Sequence, residues 1–257
     1  MPKQRLDRAL VDRGLVPTRA RAQALILAGK VLVDEQKVEK AGAAVAEDAA
    51  IRLLGADEAL RYVSRGGLKL EHALAHWTLA LTGRTCMDVG TSTGGFTDAM
   101  LQHGAARVIA VDTGYGQIDS RLRSDARVRL LERTNARHLT AAQVAPLADA
   151  PITFLAMDVS FISATLVLPA VVAAVREVSG GSPFEAVVLV KPQFEAGRGN
   201  VGKGGIVRDA AVQQAAVDRV RAMVEQLGGR GTEVIDSPIT GAEGNREFLL
   251  HAAYSAI

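Results

Sequence analysis

Four charged residues end or directly follow short apolar segments that are typical of buried β-strands: Asp88, Asp112, Asp158 and Lys191. Ligands of open α/β sheets bind beyond the carboxyl ends of the strands, so these side chains are expected to share one edge. Shielding from water disfavours the charged form of a lysine, and a second cation nearby disfavours it further. A lysine in that state can accept a proton from a hydroxyl group. The pattern therefore indicates acid–base chemistry centred on Lys191.

Two further charges are candidates for completing this cluster. Lys69, in the segment Ser64–Leu70, would be the second cation, and Glu247, in the segment Gly244–Phe248, would balance the charge. Local spacing does not bring either residue to Lys191. Each of them, taken separately, is more simply a solvated surface charge.

A glycine-rich turn follows the first of the apolar segments. The sequence from Gly90 to Phe96 is similar to the dinucleotide-binding fingerprint, with Ser92 in place of its central glycine. Asp112, 22 residues after Gly90, could accept hydrogen bonds from a ribose diol. Asp88 could bind a ligand ammonium group, which favours S-adenosylmethionine over a dinucleotide. The candidate cofactor-binding residues from this pattern are Asp88, Gly90, Ser92, Thr93, Gly94, Gly95, Phe96 and Asp112.

The same turn also matches the G-x-S-x-G motif of hydrolases, with Ser92 as the nucleophile. Asp158 and His251 follow in the order that a catalytic triad would need. However, His251 lies inside an apolar strand rather than in a loop, and the charge of Asp88 would oppose a developing oxyanion. The hydrolase hypothesis is therefore the weaker alternative.

The predicted elements position these residues on an α/β sheet. Short apolar strands alternate with helical segments from residue 84 onwards, which predicts a mostly parallel, Rossmann-like sheet of seven strands covered by helices on both faces. The predicted strands are Thr85–Val89, Arg107–Val111, Val128–Leu131, Thr153–Met157, Ala186–Val190, Thr232–Ile235 and Arg246–Tyr254, the last two forming an edge hairpin. Helices are predicted near 95–103, 140–147, 163–177 and 208–227.

The first 60 residues predict a separate, smaller α+β domain. Helical spacing over 5–13 and 18–29 precedes short strands at 31–33 and 51–54, with a turn over 34–37. The predicted domains are 1–60 and 68–257, joined by a linker over 61–67. Residues 1–33 hold seven basic and two acidic side chains, a local excess that suits phosphate binding as well as a solvated surface.

Composition excludes several classes of protein. The chain is 48% hydrophobic and 23% charged, which is typical of a globular protein and not of a disordered one. Cys86 is the only cysteine, so an intrachain disulfide or a cysteine-rich zinc site is impossible. The longest apolar stretch, Ala164–Val175, is too short to cross a bilayer. Without a signal sequence, the expected location is the cytoplasm. His72 and His76 have helical spacing, but they lack partners for a recognisable zinc motif and are expected to be surface residues.

Two features bear on a substrate. The segment Lys191–Arg208 contains five glycines, and a loop of this length is more typical of a lid or binding segment than of a passive connection. Aromatic residues make up only 4% of the chain, so an extended base-stacking platform is not expected.

Taken together, the motifs resemble the haemolysin A (TlyA) family of ribosomal RNA ribose 2′-O-methyltransferases. The first part of the chain, from Arg5 to Val31, is similar to the S4 RNA-binding domain. The family shares a Lys-Asp-Lys-Glu tetrad with FtsJ-type ribose methyltransferases, and Lys69, Asp158, Lys191 and Glu247 match it at every position. Other matching segments are Tyr62–Leu70, Asp88–Asp98, Val111–Gln117, Glu132–Arg137, Asp158–Ser163, Lys191–Glu195 and Gly244–Phe248.

The resemblance implies a function and roles for these residues. It implies methyl transfer from S-adenosylmethionine to a cytidine 2′-oxygen in ribosomal RNA of one or both subunits, with no metal required. Lys191 would take or steer the hydroxyl proton, Lys69 would stabilise the alkoxide, and the two carboxylates would orient the lysines. Asn135, Ala136 and Asp158 would contact the cofactor, and Arg5, Arg8, Arg19, Arg21 and Arg65 are the candidate RNA contacts. The alternatives are a ribosome-assembly factor whose methyltransferase fold is inactive and, less favoured, a membrane-active haemolysin.

Overall fold

The protein is described by a computed structural model that covers residues 3–16, 18–27, 29–54, 61–202, 204–241 and 244–256, without the side chain of Arg198. The chain forms two compact units, Met1–Arg61 and Tyr62–Ile257. The predicted linker over 61–67 is therefore too long. Tyr62 is buried in the core of the second unit, and a helix of that unit begins at Gly66.

The N-terminal unit is a small α+β fold. Two helices pack on short strands around Leu6, Leu10 and Ile26, all fully buried. The predicted helices and the strands at 31–33 and 51–53 are present, whereas part of the predicted turn is a strand. Its elements are β1 (Lys3–Arg5), α1 (Leu6–Asp12), α2 (Arg19–Leu27), β2 (Val31–Val33), β3 (Gln36–Lys37), β4 (Ala44–Ala46) and β5 (Ile51–Leu53). β1 pairs with β4, and β2 lies between β3 and β5. The strands β1, β3 and β4 were not predicted; β1 and β3 contain only basic and amide side chains and so have no apolar pattern.

The C-terminal unit contains the predicted seven-stranded sheet. Its strands are β6 (Thr85–Val89), β7 (Arg107–Val111), β8 (Val128–Leu131), β9 (Ile152–Met157), β10 (Phe184–Val190), β11 (Gly229–Asp236) and β12 (Phe248–Tyr254). The spatial order is β11-β12-β10-β9-β6-β7-β8. The five strands from β10 to β8 are parallel, and β12 and β11 add antiparallel at one end. The predicted hairpin is confirmed, although β12 lies inside the sheet and only β11 is at the edge.

Helices cover both faces of this sheet, as predicted. They are α3 (Gly66–His76), α4 (Gly95–Gln102), α5 (Ser120–Arg123), α6 (Ala141–Val144), α7 (Ala164–Val178), α8 (Pro192–Glu195) and α9 (Ala210–Gln226). One core contains residues of α7 and α9, such as Leu168 and Val220, and the other contains residues of α3 and α4, such as Leu70 and Met100. Neighbouring strand residues alternate between the cores: Cys86 joins one and Met87 the other. Within the described ranges, no helix is long and apolar enough to cross a membrane.

Candidate active site

Two lysine–carboxylate pairs, one of them buried and the other partly exposed at its carboxylate, line one cavity of about 500 Å³ in the C-terminal unit. Lys69 Nζ donates to Glu247 Oε2 at 2.5 Å, and Lys191 Nζ lies 2.5 Å from Asp158 Oδ1. The Lys69, Lys191 and Glu247 residues are each less than a tenth exposed, and the side chain of Asp158 is one-fifth exposed. The four residues that the resemblance grouped are thus brought to one cavity.

The two pairs differ in how the lysine is held. The contact between Lys191 and Asp158 Oδ1 is an ion pair without hydrogen-bond geometry, and the hydrogen bond of Lys191 goes instead to Ser160 Oγ at 2.7 Å. Lys191 directly follows β10 and Asp158 directly follows the parallel neighbour β9, so adjacent strand ends create this pair. Lys69 comes from α3 and Glu247 directly precedes β12.

A second cavity, of about 390 Å³, shares part of its wall with the first. Gly90, Ser92, Asp158, Ser160 and Phe161 line both cavities. The charged side chains in the lining of the second cavity are the carboxylates Asp112 and Asp158. This lining suits a cationic ligand and opposes a pyrophosphate, which discriminates between the two cofactor classes considered from the sequence.

Asp112 organises the glycine-rich turn. Its carboxylate accepts hydrogen bonds from the backbone N–H groups of Ser92, at 2.7 Å, and Gly114, at 2.6 Å. Gly90 has a φ of +86°, and a Cβ there would lie 2.3 Å from the carbonyl oxygen of Asp158. Only glycine permits this approach between the turn and the end of β9.

The remaining predicted cofactor residues divide between the cavities. Asn135 and Ala136 line the second cavity, whereas Thr93, Gly95 and Phe96 line the first. Gly95 has a packing role, since a Cβ there would be 2.3 Å from Ser64 Oγ. Gly94 lines neither cavity and lies against Leu122 and Ile118.

Asp88 is fully buried and also lines neither cavity. Its Oδ2 accepts a hydrogen bond from Thr97 Oγ1 at 2.6 Å, and its Oδ1 has no hydrogen-bond partner among the described residues. Burial, together with the charge of Asp158, outweighs the hydrogen bond from Thr97 and raises the pKa of Asp88 to about 7. The geometry therefore gives no direct support to the predicted contact between Asp88 and a ligand ammonium group.

The hydrolase alternative is not supported by the geometry. His251 lines neither cavity; its ring stacks on Trp77 with 5.1 Å between centroids, and its Nε2 lies 3.5 Å from Glu185. Asp158, the proposed triad acid, pairs with Lys191 instead. His76 contacts Glu233 at 3.1 Å, and the residues that the structure describes contain no cluster of three or more potential metal ligands.

Comparison with known proteins decides the family. The protein-family model for FtsJ-like methyltransferases matches residues 62–254, and the family model for the S4 domain matches residues 4–51. The chain belongs to the FtsJ-like methyltransferase family. The resemblance inferred from the motifs is thereby confirmed.

Relatives of this FtsJ-like methyltransferase match nearly its whole length. The 16S/23S rRNA (cytidine-2′-O)-methyltransferase TlyA of Mycobacterium tuberculosis is 42% identical over 248 residues, which cover 96% of this chain and 89% of the relative. Hemolysin A of Brachyspira hyodysenteriae is 36% identical over 247 residues, covering 96% of this chain and 98% of the relative. The solved structure of a candidate hemolysin from Streptococcus thermophilus superposes with a TM-score of 0.75 at 40% identity, covering 99% of this chain and 90% of that one.

Sequence reasoning missed an aromatic pair at the cavities of the FtsJ-like unit. The ring centroids of Phe161 and Phe194 are 5.3 Å apart, and both residues line the first cavity. Phe161 is 93% exposed and has a φ of +64°, which is rare for a bulky side chain. Low aromatic content did not exclude a local stacking site, because two phenylalanines are enough to form one.

Asn245 also escaped prediction, although it lies two residues before Glu247. Its Nδ2 donates to Gly205 O at 2.9 Å and its Oδ1 accepts from Val207 N at 3.0 Å. These bonds attach the glycine-rich segment after α8 to the loop that carries Glu247. Val201 and Gly205 of that segment line the first cavity, as a binding segment would.

The candidate RNA contacts occur in both units. In the S4 unit, Arg5 and Arg19 pair with the buried Asp7, and the Arg8 side chain is 74% exposed, 4.0 Å from Asp12. Arg21 is half-buried on α2. In the FtsJ-like unit, Arg65 is exposed and lines the first cavity. Hydrogen bonding from Arg5 holds the pKa of Asp7 well below its usual range.

Proposed function

We propose that this protein transfers a methyl group from S-adenosylmethionine to the ribose 2′-oxygen of a cytidine in ribosomal RNA. The observation that carries the proposal is the pair of buried lysine–carboxylate contacts in a cavity that adjoins an acid-lined cavity. The relative from Mycobacterium tuberculosis, named as an rRNA (cytidine-2′-O)-methyltransferase, supports the choice of substrate. Ribosome modification assigns this activity to the cytoplasm.

The second cavity fits the cofactor. Val111, Ala136 and Val167 offer apolar surface for an adenine ring, and Asp112 offers carboxylate oxygens to a ribose diol. Asp158 lines both cavities, and its negative charge would favour a cationic methyl donor there. When bound, S-adenosylmethionine supplies a methyl group already activated by a positive sulfonium.

Lys191 acts on the hydroxyl that becomes methylated. Its Nζ is fixed between Asp158 and Ser160, so it can orient the 2′-hydroxyl toward the methyl donor. Lys191 would take the hydroxyl proton as its neutral amine, after its own ammonium proton has passed to water, while the bound donor would supply the methyl group to the ribose oxygen. Positioning supplies much of the acceleration, because the donor needs no further activation.

Lys69 stabilises the negative charge that develops on the ribose oxygen. Its ammonium is held at 2.5 Å by Glu247 in a site largely closed to water, where electrostatic stabilisation is strong. Glu247 orients this ammonium and does not itself contact the hydroxyl.

The target nucleotide must leave its stack to reach these residues. Phe161 is the exposed aromatic side chain at the junction of the two cavities, and the Phe194 ring supports it. Stacking of a base on an aromatic side chain contributes about 1–3 kcal/mol and tolerates any base. Phe161 therefore receives the extruded base, while Arg65 binds a neighbouring phosphate. Arg5, Arg8, Arg19 and Arg21 bind other phosphates of the RNA.

Tritiated methyl transfer to unmodified ribosomal subunits tests this function. Lys191→Ala is expected to reduce turnover by about 10²–10⁴-fold, the usual contribution of a proton-transfer group. Lys191→Arg keeps a cation that cannot release its proton, so it separates orientation from proton acceptance. Arg230→Ala, which changes an exposed cation on β11, should leave turnover unchanged. Failure of the wild-type protein to label either subunit, despite cofactor binding, would contradict the proposal and favour an assembly factor.

A further inference from the structure

A fully buried carboxylate lies beneath two exposed arginines of the S4 unit. Asp7 Oδ1 accepts from Arg5 Nε at 3.0 Å, and Asp7 Oδ2 accepts from Arg5 Nη2 at 3.0 Å, Arg19 Nε at 2.9 Å and Gln23 Nε2 at 2.9 Å. The side chain of Asp7 has no exposed surface. One acid therefore joins two arginines that are fourteen positions apart and lie on different elements, β1 and α2.

The arginines remain available to a further anion. Their side chains are 53% and 57% exposed, for Arg5 and Arg19 respectively. A guanidinium has five N–H groups. Asp7 accepts two hydrogen bonds from Arg5 and one from Arg19. Each guanidinium fork therefore keeps N–H donors that Asp7 does not use. The two cations and one anion retain a net positive charge.

We propose that Asp7 is a positioning residue for RNA binding, which holds the forks of Arg5 and Arg19 at a fixed spacing for phosphate oxygens of the RNA backbone. This inference rests on the proposed function, since it takes RNA as the ligand. An arginine that is already immobilised loses less side-chain entropy when it binds a phosphate. The bidentate contact with Arg5 also fixes the plane of its guanidinium.

Positioning and charge have opposite effects in this cluster, and this makes the proposal testable. As an anion, Asp7 repels RNA, so its neutralisation alone would strengthen binding. As the group that holds both forks, it strengthens binding, so its loss would weaken it. The sign of the change in affinity after Asp7→Asn distinguishes the two effects.

The matched control is Asp12→Asn. Asp12 is on the same helix, is 55% exposed and lies 4.0 Å from Arg8, so the substitution makes the same change in charge without removing a shared anchor. The full-length variants would be compared by binding to unmodified ribosomal subunits at several salt concentrations and by steady-state methyl transfer. For Asp7→Asn, we expect Kd and KM for subunits to rise about tenfold, the effect of losing a charged hydrogen bond. The plot of the logarithm of the association constant against the logarithm of salt concentration should become less steep by about one unit of slope. The kcat value and the affinity for S-adenosylmethionine should be unchanged, and Asp12→Asn should bind as tightly as the wild type or more tightly.

A folding control and substitutions of the two arginines complete the test of Asp7. Circular dichroism and thermal unfolding show whether Asp7→Asn folds; if it does not, Arg5→Lys and Arg19→Lys take its place, because they keep the net charge and lose the planar fork. Weaker binding by the lysine variants supports the proposal, and wild-type affinity in them or in folded Asp7→Asn overturns it. A wild-type protein that neither binds nor methylates subunits would instead contradict the proposed function. If Arg5→Ala and Arg19→Ala weaken binding but folded Asp7→Asn does not, only the role of Asp7 fails.

Discussion

In the S4 unit, Asp7 is fully buried but its partners Arg5 and Arg19 are more than half exposed, whereas in the FtsJ-like unit both Lys69 and Glu247 are buried. An exposed arginine held by a buried acid can still donate to a large polyanion outside the fold. A buried lysine is shielded from water, so its charge acts strongly on a substrate atom inside the cavity. A pair of a basic and an acidic side chain thus suits RNA binding in the S4 unit and catalysis in the FtsJ-like unit. The exposure of the basic side chain makes the difference.

The largest effect on stability is expected from breaking the buried pair. Lys69→Met leaves the Glu247 carboxylate, only 3% exposed, without its cation. Removal of one partner from a buried pair costs about 3–5 kcal/mol of unfolding free energy. Trp77, the only tryptophan, belongs to the FtsJ-like unit, so its fluorescence in urea can follow this unit. Lys69→Met/Glu247→Gln should recover much of the stability but no activity. If Lys69→Met and the double variant were equally stable, the unpaired charge of Glu247 would cost nothing, and the prediction would be wrong.

A second effect concerns Asp88, a buried acid that has no cation partner among the residues that the structure describes. Burial raises the pKa of Asp88 to about 7, so the folded state holds a proton that the unfolded chain releases near its ordinary pKa of about 4. Its contribution to stability is therefore complete at low pH and is lost as the pH rises through about 7, by up to about 4 kcal/mol. Asp88→Asn should remove this part of the pH dependence. Parallel curves of unfolding free energy against pH, for wild type and variant, would contradict the shifted pKa.

The smallest effect is expected from an exposed pair. Arg8→Ala breaks the contact between Arg8 and Asp12, whose side chains are 74% and 55% exposed respectively. Exposed pairs contribute little, so the free energy of unfolding of the S4 unit should change by about 0.5 kcal/mol or less. Affinity for ribosomal subunits should nevertheless fall, with a smaller salt dependence, if Arg8 contacts a phosphate. A loss of stability comparable with that of Lys69→Met would contradict the division between exposed and buried pairs.

Local patterns in the sequence were sufficient to predict the sheet and the position of the glycine-rich turn. The strands β6, β7, β9 and β10 are mainly apolar and almost entirely buried, as expected of parallel strands covered on both faces. Gly90 and Asp112 were predicted from their spacing, because a strand–turn–helix unit places them at neighbouring strand ends. Asp158 and Lys191 were predicted to share an edge for the same reason, and adjacent strands bring them together.

Other predictions required contacts that no local pattern contains. The spacing suggested a contact between Asp88 and a ligand, but packing under the turn buries this carboxylate against Thr97. Gly95 fitted a ligand-binding glycine, but the close approach of Ser64 accounts for it. Arg5 and Arg19 were predicted as RNA contacts from the local basic charge together with the resemblance to the S4 domain, and the sequence contained no sign that one buried acid joins them.

The sequence by itself determined the two units, the order of their elements and the chemistry available at the strand ends. These follow from hydrophobic periodicity, glycine positions and motif spacing, which act over a few residues. Only the tertiary structure decided which charges meet: Lys69 pairs with Glu247 across 178 positions because β12 inserts between β10 and β11, and Asn245 binds Gly205 and Val207 for the same reason. Burial of these side chains depends on the packing of the whole unit, and that packing sets the exposure on which their roles depend.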